Sequence, residues 1–302
     1  MILSPFQHQR DTLFGILAIL AASFILSGMD ALAKGLMREL PTLQVVWARY
    51  LFHTLIVGAI FSLQSGTGFM RSKRPLLQTL RALCLLCVTF GLYFAIRRIP
   101  LADATAILFF APVLVTLLAG MFLHERVGVP EWVAVILGFI GVLFVVRPGF
   151  REFQLEILAV VVAALCLSVY FVLTRALRRR DSEQTTLFHT TVAGALVLSL
   201  LLPFVWVSPS PAQWGCLVLI GGLGASGHFL LVRAFHLAPA PLLSPFLNAQ
   251  LVAAVLYSRL LFDDQLGAPF YIGAVLIVGA GLVVWVHQQL RVGMERRGEA
   301  VE

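Results

Sequence analysis

Few ionisable side chains stand inside or at the edge of long apolar runs: Arg81 is one, and Asp30, Lys34, Arg49 and Asp103 are four that fall toward one side. A charge centred in hydrocarbon costs about 2.5 to 3.5 kcal/mol on the insertion scale, so each of these groups needs a partner or a task. Asp30 and Lys34 are spaced i, i+4, share one helix face and are placed to pair. Arg49 enters the next apolar run from the same side and Asp103 opens a later one there, which puts all four at similar depth around one mouth. A guanidinium stays charged at any cellular pH and holds a carboxylate or phosphate through two parallel hydrogen bonds. Arg49 therefore has two readings, a grip on an anionic group of a ligand or a structural tie to Asp30. His53, one helical turn on, and Trp47 line the same space or pack beside it. Asn248, the one asparagine of the chain, and Gln250 put two amides inside an apolar run, where an amide needs a neighbouring helix or a ligand. Pro239, Pro241 and Pro245 lie just before them and free backbone carbonyls that a cavity can use.

Other chemistries are poorly supplied. His124-Glu125-Arg126 begins like H-E-x-x-H, but Gly128 occupies the place of the second histidine, so the zinc-protease reading fails. Cys84 and Cys87 form a C-x-x-C that no second Cys or His pair completes, and on an apolar helix they read as small packing residues; no metal is expected. The glycines at 138, 141, 221, 222, 224, 227, 273, 279 and 281 read as close helix contacts. None precedes the Lys-Ser/Thr of a phosphate loop, so neither ATP coupling nor a cofactor is expected. His189 and His228 fall nearer the cytoplasmic ends of their runs and read as interhelical hydrogen-bonding residues.

The elements that must position these groups are membrane helices. The 302 residues are 60% hydrophobic and only 12% charged, with a mean hydropathy of +0.94, whereas a soluble domain is about one quarter charged. Spans of about 20 residues fit ten times: 12–33, 43–63, 76–96, 101–123, 129–146, 155–173, 186–207, 214–232, 242–262 and 270–286. Continuous apolarity excludes barrel strands. Ala31-Leu32-Ala33 looks like a signal cleavage site, but the apolar core before it is longer than the roughly 7 to 15 residues of such signals. With the N-terminus inside, 13 Lys and Arg fall on the cytoplasmic side and 7 on the other, so both termini are expected in the cytoplasm, with the chain multi-pass in a bacterial inner membrane. The net charge of +7 then reflects topology and headgroup contact, and no nucleic-acid partner is expected.

The chain also repeats itself. Leu101-Ala102-Asp103-Ala104 through Val127-Gly128 is echoed by Ala240-Pro241-Leu242-Leu243 through Leu266-Gly267. The copies fall in segments four and five and in nine and ten, and an odd number of crossings per copy inverts one half against the other. The fold class expected is all-α integral membrane, ten transmembrane helices as two inverted five-helix repeats, residues 1–148 and 149–302. Pro100 to Ile107, Pro112, Glu125-Arg126, Gly138-x-x-Gly141 and Gln44 to Tyr50 resemble the EamA family of ten-helix carriers in the drug/metabolite transporter superfamily. The resemblance implies a central cavity formed by the first four helices of each half, with helices five and ten peripheral and available for a homodimer. It departs at Asp263-Asp264-Gln265, which replaces His124-Glu125-Arg126, so no role passes from Glu125 to Asp264.

The function expected is alternating-access transport of a small metabolite, with Asp30 and Asp103 as candidate proton carriers. Two cations against two carboxylates suit a zwitterion, such as an amino acid or S-adenosylmethionine. An integral-membrane enzyme and a non-transporting receptor or assembly subunit are the alternatives.

Overall fold

A computed structural model describes residues 5–111, 113–115, 118, 128–147, 155–177, 181–237 and 243–296. The described elements are helices, with no strand among the described residues: α1 (Pro5–Leu36), α2 (Thr42–Ser65), α3 (Pro75–Ile96), α4 (Leu101–Leu108), α5 (Val129–Val146), α6 (Leu155–Leu177), α7 (Glu183–Leu201), α8 (Pro211–Leu237), α9 (Ala249–Phe262) and α10 (Ala268–Arg296). Seven are long and apolar enough to cross a membrane, and shorter apolar helices occupy 101–115, 132–146 and 246–262. Pro41, Pro75 and Pro100 sit at or just before the first turns of α2, α3 and α4. A proline there forfeits only an N–H that has no helical acceptor.

Two of the expected spans are interrupted. The regular part of α4 stops at Leu108, and Phe109 and Phe110 form a turn. In the other half, Ser244–Asn248 is a 3₁₀ helix that becomes α-helical at Ala249. Aligning Glu125 with Asp264 brings Asn248 opposite Phe109, so the 3₁₀ segment of one half ends at the register where the turn of the other begins. Pro245 explains one of them, because it removes a backbone donor and tightens its turn. Pro112, Pro239, Pro241, His124, Glu125 and Arg126, to which the sequence also points, lie outside the described residues.

The helices pack chiefly as α1 on α8 and α9, α3 on α6 and α7, α2 on α7 and α8, α4 on α6 and α9, and α5 on α10. One apolar core, including Met29, Tyr50, Tyr93, Ile96, Leu217 and Phe270, runs through these contacts. The α5·α10 crossing shows why glycine is needed: a Cβ on Gly141 would come within 2.8 Å of the Gly273 carbonyl, and one on Gly273 within 2.5 Å of the Gly141 carbonyl. Backbone meets backbone there, so neither side can yield to a methyl group.

Candidate functional site

Along α1, Ser23, Ser27, Asp30 and Lys34 follow at intervals of four, three and four, and therefore lie on one face. The first three are buried. Arg49 and His53 are one turn apart on α2, Tyr93 is near the end of α3, and His228 lies on α8. Packing of α1 on α8 and of α2 on α8 brings these residues together in the interior.

Arg49 Nη1 donates to Asp30 Oδ1 at 3.3 Å and to the Tyr93 hydroxyl at 3.0 Å. Arg49 is thus a structural tie to Asp30, yet both bonds run through one nitrogen. Nε and Nη2 take no partner among the described residues, so half of the guanidinium fork stays open for an anionic group. The His53 ring lies 5.6 Å from that of His228. His53 Nε2 and Ser27 Oγ are buried without a hydrogen-bond partner. Unsatisfied buried polar atoms are rare in native structures and call for water or a ligand.

Lys34 departs from expectation. It pairs not with Asp30 but with Asp264 Oδ2, at 3.1 Å, and also donates to the Ile99 carbonyl at 3.2 Å. The i, i+4 pair gives way because each partner finds a counter-charge away from its own helix, Asp30 in Arg49 of α2 and Lys34 in Asp264 just after α9. Asp264, to which the sequence reading gave no role, also accepts from Ser258 Oγ at 2.7 Å, and Ser258 Oγ accepts from the Ala102 N–H at 3.4 Å. Asp103, in the first turn of α4, is buried and adds a negative charge near Lys34. Arg38 is close by as well, its guanidinium over the same Phe262 ring as the Lys34 ammonium, so the mouth gathers three carboxylates, Asp30, Asp103 and Asp264, and three cations, Lys34, Arg38 and Arg49.

Other candidates are placed elsewhere. Trp47 turns to α7, where its Nε1 donates to Ser199 Oγ at 2.9 Å and its ring meets Trp206 edge-on. Asn248 and Gln250 are half-buried beside the interruption of the ninth span, and neither amide has a hydrogen-bond partner among the described residues. His228 joins the central cluster, whereas His189 Nδ1 stays on its own helix, 2.9 Å from the Thr185 carbonyl. Sequence reasoning passed over Ser27 and Tyr93; the α1 spacing was the signal for the first, and nothing local marked the second.

It also passed over Arg81, noted only as a charge within a span. All five of its N–H donors are used: Nε on Thr174, Nη1 on Gln78 and on the Thr186 carbonyl, Nη2 on Tyr170 and Thr190, at 2.7 to 3.1 Å. Gln78 relays the charge by donating to Asp181 Oδ2 at 2.9 Å, and Asp181 also accepts from Ser72 Oγ and the Lys73 N–H. Arg81 is a buried tie between α3, α6 and α7, with no donor left for a ligand.

Asp181 lies between spans, in the α6–α7 connection. Its partial burial favours the neutral acid, but the hydrogen bonds from Ser72, Gln78 and Lys73 outweigh this and hold the carboxyl below its ordinary range. A depressed folded-state pKa gives stability that is full above the unfolded value, about pH 4, and is lost as pH falls through the lower folded value. The melting temperature of detergent-solubilised protein should fall below about pH 4, and Asp181→Asn should be less stable at neutral pH with a smaller fall over that acid window. An unchanged acid limb in the variant would remove Asp181 from this role.

An all-helical chain with this many apolar spans and with charges buried between them is a multi-pass membrane protein. The model of the EamA-like transporter family matches residues 13–147 and again 154–286, and the chain belongs to that family. It is 26% identical to the S-adenosylmethionine uptake transporter of Rickettsia conorii, covering 85% of this chain and 87% of the relative. It is 27% identical to the pseudopaline exporter CntI of Pseudomonas aeruginosa, over 89% and 93%, and 25% identical to a riboflavin transporter of Vibrio cholerae, over 89% and 92%. A protein of known crystal structure shares the fold, with a TM-score of 0.63 at 22% identity, over 97% of this chain and 99% of that one. The family and these relatives are transporters. The chain is accordingly a small-metabolite transporter in a membrane, not an enzyme.

Proposed function

We propose that the chain is a secondary carrier that moves a small zwitterionic metabolite, of amino-acid or S-adenosylmethionine type, by alternating access across a bacterial inner membrane. The observation that carries the site is the Asp30–Arg49–Tyr93 cluster, with an open guanidinium fork and two unpartnered buried atoms, Ser27 Oγ and His53 Nε2, nearby. The fork takes a carboxylate, the Asp30 carboxylate takes an ammonium or sulfonium, and Ser27 and His53 bond the rest of the solute. Balanced charge at the mouth favours a solute that carries both signs with little net charge. The similarity to a named S-adenosylmethionine transporter supports that class.

Ten spans in two inverted repeats, 1–148 and 149–302, belong to the same proposal. The family model matches once in each half. Exchanging α1 to α5 with α6 to α10 turns α1·α8 into α6·α3, α1·α9 into α6·α4 and α2·α8 into α7·α3, all of them pairs that occur. The interruptions of spans four and nine suit a site lined by broken helices. Ties across the halves at both ends, Lys34–Asp264 at one and Arg81 with its acceptors at the other, are the contacts that alternating access would break in turn.

Ser27→Ala tests the site. Removing an unsatisfied hydroxyl should leave the melting temperature equal or higher, while the lost bond to solute raises the half-saturation concentration about tenfold in proteoliposomes loaded with labelled S-adenosylmethionine or amino acids. Lower stability with unchanged transport would refute the assignment. The orientation has its own check: alkaline phosphatase fused to the C-terminus should be inactive, since the excess of Lys and Arg keeps that end in the cytoplasm. An active fusion on full-length protein would overturn it.

A further inference from the structure

A groove of about 410 Å³ opens on the flank of the bundle at the end where α1 finishes. Its floor is α1, its walls are the end of α9 and the start of α8, and it is separate from the Asp30–Arg49 cluster. The floor includes Gly28, Leu32 and Gly35, a stretch of eight helical residues with a glycine at each end. A Cβ on Gly35 would meet nothing within 4 Å, whereas one on Gly28 would touch the Tyr257 hydroxyl at 3.1 Å. Leu261 is exposed and Phe262 half-buried along the wall, on the outward side of an apolar helix. The mouth carries both signs of charge on successive residues, Arg38 and Glu39, and Gln213 Nε2 donates to Glu39 Oε2 at 2.6 Å. The Arg38 guanidinium sits 5.4 Å from the Phe262 ring centroid.

An apolar trough lined by glycine, leucine and phenylalanine, capped at one end by a cation and an anion, has the layout of a phospholipid whose headgroup is itself a zwitterion. We propose that this groove is a binding site for a phosphatidylethanolamine-type lipid: one acyl chain lies over Gly35 and Leu32, Arg38 holds the phosphate and Glu39 holds the primary ammonium. A soluble zwitterion would not use the apolar trough, and an anionic phospholipid would leave Glu39 facing a negative or neutral headgroup. The trough runs along α1, the helix that also bears Asp30 and Lys34, so a lipid seated there abuts the element on which the carrier's charges are mounted. The assignment does not depend on what the carrier transports.

The test is lipid retention by the purified full-length protein in detergent, with equimolar dioleoyl phosphatidylethanolamine, phosphatidylcholine and phosphatidylglycerol added and the retained lipid measured by native mass spectrometry. Phosphatidylethanolamine should be retained about fivefold over phosphatidylglycerol, the effect of one well-placed charge at a membrane surface. Gly35→Leu should fill the trough and abolish retention without changing the melting temperature in lipid-free detergent. Glu39→Gln should keep the protein lipid-bound but erase the preference for the ethanolamine headgroup over choline, and Arg38→Ala should lower retention of all three. Equal retention of the three lipids by the unaltered protein overturns the proposal, as does undiminished retention by Gly35→Leu. Should Gly35→Leu not fold, the headgroup preference and its loss in Glu39→Gln decide the matter. Because none of these readouts involves solute flux, a failure here leaves the transport proposal standing, and a failure of transport leaves this one.

Discussion

Replacing Arg49 with alanine should lower stability by about 3 to 5 kcal/mol, the usual result of leaving one member of a buried ion pair without its partner. Asp30 is the group left behind, nearly inaccessible to solvent and 3.3 Å from the lost nitrogen. The double variant Arg49→Ala, Asp30→Ala should recover much of the loss, because no uncompensated charge then remains. Arg49→Lys separates the two duties of the residue. It keeps the charge beside Asp30 and most of the stability, but a lysine has no fork, so the solute's anionic group loses its second bond and the half-saturation concentration rises about tenfold. Melting temperature in detergent and binding of labelled solute, measured on all three variants, give the answer. A double variant that is stable and still binds solute normally would rule out the ligand role.

Arg81→Met is the second large effect expected, a loss of about 3 kcal/mol or more. Methionine fills most of the stem's volume and supplies none of the five bonds, leaving the Thr186 carbonyl, the Gln78 carbonyl oxygen and three hydroxyls to re-pair within a buried space. Arg81→Lys should recover less than half of the loss, since an ammonium has about three donors and cannot reach acceptors spread over a plane. Melting temperatures of the three proteins at neutral pH are the measurement. A melting temperature for Arg81→Met close to that of the unaltered protein would show that the network carries little of the fold's stability.

Much of this was legible in the sequence, because in a membrane apolar length marks helices and isolated charges mark their junctions. The limits of α2, α3, α5 and α6 agree with the expected spans to within a few residues, since polar loops and prolines frame them. The regular parts of α4 and α9 are shorter than expected, because a run of hydrophobic residues carries no mark of a local turn at Phe109, and Pro245 marks a break without giving the extent of the 3₁₀ segment Ser244–Asn248. The partner of Lys34 was misread for a different reason. Spacing along one helix reveals only neighbours on that helix, whereas Asp264 lies 230 residues away, and its nearness is a property of how α1 packs on α9. Arg81 escaped notice because its acceptors are threonines, a tyrosine and an amide, residues that look ordinary one by one and gain meaning only when three helices bring them to one point.

The Arg81 network also bears on how the chain enters the bilayer during synthesis. Thr174, Tyr170, Thr186 and Thr190 belong to α6 and α7, which leave the ribosome long after α3 does. Until they arrive, the guanidinium has Gln78 on its own helix and little else in protein to bond. Centred in lipid it would cost about 2.5 to 3.5 kcal/mol, so the nascent third span is a weak inserter, held at the water interface or against the insertion machinery until the later helices emerge. The first half of the chain is thus committed to wait for the second, and a translational pause or truncation before residue 190 would leave an incompletely inserted product for membrane proteases.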